Sequence, residues 1–293
     1  MTQVLDSLEK VNQIKKDIHN SIKQKNSNIQ DDTPFEEYPA KINEIQQGGR
    51  TVSFPQLRYD FDENGNMILA SGDLVFSSLK DVSYYLLYHA FDSNGSITSV
   101  SFPDLVSVSG SHGMRNAFYS CSKISFISFP NLTTISGNYG MGGVFYQGNL
   151  PSVEFPKLET VGSYGLASAL SLSYSLTTAS FPNLVSIDTY GLAYCFDGCE
   201  KLTSVSFPKL VKVGSKSLHF SFYNCTSLTS ISFPSLRSSA NIDKDAFGGT
   251  YTFSGCSVLT EIHFPSASKS RIEACNGYSS KFGASNATIY FDL

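Results

Sequence analysis

The chain has 293 residues, of which 16% are charged, and a formal net charge of −4. That balance excludes the basic face a nucleic-acid partner requires, and no stretch approaches the roughly 20 apolar residues of a membrane span. Ser, Thr and Asn supply the surface polarity that charge usually supplies, and 22 Phe against no Trp places most of the aromatic bulk in one kind of core position.

Residues Met1 to Lys10 are charged and amphipathic and lack the continuous apolar core of a secretory signal. This predicts that the sequons at Asn94, Asn131, Asn224 and Asn286 carry no glycan. Residues 1–24 are expected to form a helix. Met1, Val4, Leu8, Val11, Ile18 and Ile22 follow the a and d positions of a seven-residue repeat, with Lys15 interrupting. About three heptads are marginal for a lone helix, so the stripe is expected to pack on something. The two options are the chain's own domain or, preferred here, the same helix of another subunit. Val4, Leu8, Val11, Ile18 and Ile22 are then the oligomerisation residues.

A polar turn spans Lys25 to Thr33. Thr33 can cap a short helix that opens with Pro34 and carries Glu36 and Glu37 in its first turn. Tyr38, Ile42 and Ile45 form its small apolar face. The sequence Thr33-Pro34-Phe35-x-x-Tyr38-Pro39-x-Lys41-Ile42-x-x-Ile45, set after an Ile-rich helix, resembles a module at the N-termini of tailed-phage virion proteins, tail fibres and related appendages. The resemblance covers about residues 10–45. It implies attachment to other virion proteins through residues 1–46, a homotrimer, and a virion location after synthesis in the bacterial host cytoplasm.

Gln46 to Arg50 is expected to be a flexible joint, and Thr51 to Leu57 the first strand of a repeat region. Tyr59 to Ile68 alternates around Asp62-Glu63-Asn64-Gly65, as a hairpin does. Residues 51–95 are expected to hold atypical first coils, of which residues 66–95 are the least regular part. Within them, Lys80 to Phe91 is expected to be a short helix covering the open first edge of the fold.

From there a unit recurs. Phe-Pro pairs begin at Phe102, Phe129, Phe155, Phe181, Phe207, Phe233 and Phe264, mostly 26 residues apart. An earlier pair at Phe54 leaves room for one degenerate copy. Fixed self-similarity at this period predicts a solenoid. The unit reads Phe-x-x-Cys-x-x-Leu-x-x-Val/Ile-x-Phe-Pro-x-Leu-x-x-Ile/Val. Alternation points Val205 and Phe207 to one face of a strand, while Leu202, Leu210 and Val213 cover the remaining walls. A single coil cannot bury these groups, but stacked coils can, at roughly 1.5–3 kcal/mol for each large apolar side chain. Residues 268–293 are expected to cap the far end, with Ala287 to Phe291 as a last strand.

The copies Phe118-x-x-Cys121-x-x-Ile124, Phe196-x-x-Cys199-x-x-Leu202, Phe222-x-x-Cys225-x-x-Leu228 and Phe253-x-x-Cys256-x-x-Leu259 resemble the BspA-like class of leucine-rich repeats over about residues 96–267. Two copies depart, with Gly148 at the Cys position of one and small or polar residues around Ala169 to Leu176 in the other. The resemblance implies one parallel strand per coil of about 26 residues over 51–293, and recognition or adhesion in place of a reaction.

Cys121, Cys199, Cys225 and Cys256 share one inward column and are expected to be buried reduced thiols. Cys195 and Cys275 lie outside it, and no zinc-ligand spacing is present. The five histidines fall in different coils, and no nucleophile, phosphate-loop or metallohydrolase motif appears. The chain is therefore expected to be a non-enzyme with no cofactor.

Two columns are candidate contact surfaces for a host-surface glycan or protein. One is the outward side of the sheet, where Phe126, Ser128, Glu154, Ser180, Ser206, Ser232, Glu261 and His263 fall. The other is the row Tyr139, Tyr164 and Tyr190, which is either a wall of stacked rings or a sugar-binding row. The overall expectation is a phage tail-fibre, baseplate or head-fibre component with an adhesive solenoid. The alternatives are a bacterial cell-surface adhesin and an intracellular scaffold.

Overall fold

The computed structural model describes residues 46–47, 50–51, 60–61, 67–68, 72–76, 79–237 and 241–292. The helices expected over residues 1–45, and with them Val4, Leu8, Val11, Ile18 and Ile22, lie outside the described residues. The chain divides into two units, Met1–Leu57 and Arg58–Leu293.

In the first unit, β1 (Gln46–Gln47) pairs antiparallel with β2 (Arg50–Thr51). The residues flanking Gly48-Gly49 are thus tied to one another, where a free joint was expected. Thr51 pairs with Gln46, and the rest of the expected first repeat strand, residues 52–57, lies outside the described residues.

The second unit opens with the expected hairpin, β3 (Asp60–Phe61) against β4 (Met67–Ile68). A stack of coils comes next. The first wall is a row of parallel strands: β5 (Gly72–Val75), β6 (Ile97–Ser101), β8 (Phe126–Ser128), β10 (Ser152–Glu154), β12 (Thr178–Ser180), β14 (Ser204–Ser206), β16 (Ser230–Ser232), β17 (Glu261–Phe264) and β18 (Thr288–Phe291). These nine strands bound eight turns of a solenoid with coils of about 26 residues. Their hydrogen-bonded ladders run in three groups of three, β5-β6-β8, β10-β12-β14 and β16-β17-β18. The seam between β8 and β10 has a local cause. Thr177 N–H donates to the Pro151 carbonyl and Thr203 N–H to the Thr177 carbonyl, but Pro151 has no N–H to give to the coil before it.

The second wall is a continuous five-stranded ladder of two-residue strands: β7 (Ser107–Val108), β9 (Thr134–Ile135), β11 (Thr160–Val161), β13 (Ser186–Ile187) and β15 (Lys212–Val213). Single bridges Asp81–Ser107 and Val213–Ile242 extend it at both ends.

The third wall is built from consecutive tight turns. In the coil from His112 to Ser120, alternate N–H groups follow two rules. His112, Met114, Asn116, Phe118 and Ser120 donate to carbonyls of the next coil at 2.7–3.0 Å, while Gly113, Arg115, Ala117 and Tyr119 donate three residues back at 3.1–3.2 Å. Every fourth residue is left-handed: His112, Asn116 and Ser120 here, and Tyr164, Ser168 and Leu172 two coils on. A non-glycine residue in this region costs about 1–2 kcal/mol. The return is that each N–H of the wall finds a partner, as buried backbone must.

The segment Lys80 to Phe91 obeys the same rules. Tyr85, His89 and Ser93 are left-handed, and Leu87, His89 and Phe91 donate to Gly113, Arg115 and Ala117 of the next coil at 2.7–3.0 Å. The expected capping helix is therefore absent. A left-handed residue at every fourth position interrupts α-helical bonding, and the segment is an ordinary coil wall. The degenerate copy before Phe102 is also located: Phe76, 26 positions earlier and followed by Ser77 where Pro is usual, stacks on Phe102 at 4.4 Å. At the far end, helix α1 (Lys269–Glu273) and a 3-10 turn at Tyr278–Gly283 lead into β18, the expected last strand.

The spine is a file of phenylalanines. Phe102, Phe129, Phe155, Phe181, Phe207, Phe233 and Phe264 stack in sequence, centroids 5.0–6.1 Å apart, and all are buried. A second file, Phe91, Phe118 and Phe145, then Phe196, Phe222 and Phe253, stacks beside it. It is interrupted by Leu170, in the departing copy.

The cysteine column has a hydrogen-bonding purpose. Cys121, Cys199, Cys225 and Cys256 each donate a thiol proton to a carbonyl of the preceding coil (Phe91, Leu170, Phe196 and Phe222) at 2.9–3.2 Å. Ser173 occupies the same column, and its shorter C–O bond leaves its buried hydroxyl without a partner. Ser173→Cys is expected to stabilise the fold by about 1 kcal/mol, and Phe207→Ala to destabilise it by about 3–5 kcal/mol; urea unfolding of the two variants checks both.

Candidate functional site

Alternation along the first wall buries Val100, Val153, Ala179, Val205, Ile231 and Ile262. It turns Ser152, Glu154, Thr178, Ser204, Ser206, Ser230, Ser232 and Glu261 outward, with Ser128, Ser180 and His263 half-buried. The parallel register aligns Ser152 with Thr178 and Ser204, and Glu154 with Ser180 and Ser206. The outward residues thus line up in columns, mostly of hydroxyls, with Glu154, Glu261 and His263 among them. Phe126 breaks them as an exposed ring, 58% accessible.

Ionised groups mark the two ends of this face. At the first, Asp73 accepts from Ser99 Oγ at 2.6 Å and Thr98 Oγ1 at 3.0 Å, bonds that hold its carboxyl below the usual value. At the last, His263 places Nδ1 3.0 Å from Asp292 and Nε2 3.4 Å from Glu261, and its ring stacks on Tyr290 at 4.9 Å. Burial alone would lower the imidazole's pKa, but the bonds to Asp292 and Glu261 and the charges behind them outweigh it and raise the value. Asp292 was not among the residues expected at this site. It lies 29 residues from His263 and meets it only because β18 pairs with β17.

The tyrosine row forms a ladder on the turn wall. Tyr85, His112, Tyr139, Tyr164 and Tyr190 stack in order with centroids 4.3–5.3 Å apart and planes within about 21°. Lys216 Nζ closes the far end, 5.6 Å from the Tyr190 centroid, and Arg115 lies 4.6 Å from that of Tyr139. Each ring face inside the ladder is covered by a neighbour, so Tyr139 and Tyr164 present edges and hydroxyls, not faces. The same wall carries a shorter stack, Tyr194, Phe220 and Tyr251, with His219 edge-on to all three, and Tyr119 stacks on Tyr146 at 4.6 Å. The Tyr194 stack was not anticipated from the sequence. Its signal was the spacing of four from the tyrosine row, which Asn116 and Gly143 share.

The cysteines offer no reactive centre. Burial pushes Cys121 and Cys275 up to about 11 and Cys199 and Cys256 to about 12, whereas the thiolate is the nucleophile. All six are free. Among the described residues no group of three or more His, Cys, Asp or Glu side chains could hold a metal ion, and no helix is long and apolar enough to cross a membrane.

The family described as BspA type leucine rich repeat region matches residues 76–173 and 114–250 in six copies, more than half of the chain. A solved structure, a leucine rich cell surface protein from Faecalibacterium prausnitzii A2-165, is similar at 17% identity. The match covers 75% of this chain and 73% of that one, with a TM-score of 0.26. No curated protein matches. The family match begins at residue 76, and nothing in these comparisons supports the resemblance expected over residues 10–45.

The raised value of His263 fixes a pH response. Its contribution to stability is fully present below the ordinary imidazole value of about 6.5 and is lost as pH rises through the higher folded value. Amide protection factors of Thr288–Phe291 are expected to fall, relative to those of β12, as pH rises above the ordinary imidazole value of about 6.5, and His263→Gln to abolish that difference.

Proposed function

We propose, for a chain that belongs to the BspA-type leucine-rich repeat family, that it is a non-enzymatic adhesive protein of a bacterial surface which engages its partner through the outward side of the first wall. The observation that carries this reading is the register of that wall. Short hydroxyls recur in most coils on a rigid strand array, with one exposed ring at Phe126 and an ion-pair cluster at His263. Rigid positioning lowers the ordering cost of binding. Ser and Thr hydroxyls both donate and accept, so the face suits a polar partner, protein or glycan. The turn wall is a weaker candidate, because its ring faces are already covered by one another.

A second reading rests on Thr33 to Ile45. It makes the chain a component of a tailed-phage particle, trimerised through Val4, Leu8, Val11, Ile18 and Ile22 and held to other virion proteins by residues 1–46. Light scattering of the full chain separates the two. A trimer near three times 32.0 kDa, together with the chain in the mass spectrum of purified virions, supports the particle; a monomer that is absent from virions removes it.

The adhesive reading is tested with labelled full chain on epithelial monolayers and matrix-coated wells. Ser180→Arg/Ser206→Arg, which places two bulky charges mid-face, is expected to cut retention at least tenfold with an unchanged unfolding midpoint. Retention equal to that of the unmodified chain overturns the assignment of this face.

A further inference from the structure

Resting on the adhesive reading, we propose that an open groove at one corner of the solenoid, away from the sheet face, binds a neutral saccharide. The groove arises from a step in coil length. Ile135 and Val161 are paired in register, yet three residues (Ser136, Gly137 and Asn138) separate Ile135 from Tyr139, while two (Gly162 and Ser163) separate Val161 from Tyr164. The longer corner stands proud of the shorter one, and a cleft opens between them. Glycine lets the two corners approach closely at its base: a side chain at Gly162 would meet the Ile135 and Ser136 carbonyls at 3.0–3.1 Å.

The lining fixes the ligand class. Ile135 and Val161 are buried beneath it, and Ser136, Asn138, Thr160, Ser163 and Ser186 line it with hydroxyls and one amide. These groups donate and accept equally, which matches a polyol whose every hydroxyl does both. The one carboxylate in the groove, Asp188, lies 2.8 Å from Lys212 Nζ, so the site presents no net charge to select an anion or a cation. The groove crosses three coils, two spacings of roughly 4.8 Å, a length suited to one or two pyranose rings.

The test is the full chain on an array of neutral and acidic glycans, with two variants at exposed positions of the groove. Asn138→Ala removes the amide, and Ser136→Leu replaces a hydroxyl and fills part of the cleft. Circular dichroism melts of both are expected to match the unmodified chain. At least one neutral glycan should be retained, weakened at least tenfold by either variant and unaffected by Ser180→Arg/Ser206→Arg. No retained glycan, retention of acidic glycans alone, or retention indifferent to both groove variants overturns the inference. Those failures leave the adhesive reading standing wherever cell retention still depends on Ser180 and Ser206. Loss of that dependence with glycan retention intact sinks the sheet-face assignment and leaves the groove.

Discussion

The structure depends on coil-to-coil register. On the turn wall, every second N–H of a coil reaches for a carbonyl of the next one. The thiol column sends its protons to carbonyls of the preceding coil, and the phenylalanine files stack only if each ring sits over its neighbour. A one-residue slip would break all three at once. This explains the tolerance of left-handed backbone at tyrosine, leucine and phenylalanine: the conformational cost is local, while the ladder it permits runs the length of the fold. It also explains the placement of length variation. Extra residues are accommodated at corners, as at Ser136 to Asn138, and not within strands.

The same register decides what the surface can offer. Buried residues repeat because they must interlock, so exposed residues of the same coils repeat too. The result is columns of like groups, hydroxyls on one wall and aromatic edges on another. Chemistry that needs unlike groups in one place can arise only where the repetition fails. The His263 cluster sits at the last coils, where Asp292 comes across from β18, and the polar groove sits at a step between corners of unequal length.

Much of this was legible in the sequence. The Phe-Pro spacing placed every first-wall strand from β6 to β17, and the Cys column placed the buried thiols, because core positions are dictated by stacking; the second strand in each coil, β7 to β15, was not expected, since its two-residue pairs are too short to show alternation. Phe76 is harder to see because no Pro comes after it, although its spacing to Phe102 is regular. The left-handed turns are hidden for a different reason. Tyr85, Ser168 and Leu172 are poor markers of positive φ, so Lys80 to Phe91 read as helical; the glycines and asparagines at Gly143, Gly198, Asn116 and Asn224 carried the signal. The edge-only presentation of Tyr139 and Tyr164 depends on ring planes, which no spacing reveals, and the partnership of His263 with Asp292 depends on the register of β18 on β17, where Phe291 is followed by Asp292 and not by the usual Pro.

Pro151 leaves a seam in the first wall, but at that level the second wall is continuous through β9 and β11, and the turn wall still bonds Gln147 to Ser171. The joints at that level are offset, as in brickwork. Between β14 and β16 they coincide, because the second-wall ladder ends at β15 and only the bridge Val213–Ile242 carries it on. A load pulling along the stack therefore concentrates there, where the turn-wall bonds from Lys216, Leu218 and Phe222 hold the coils together.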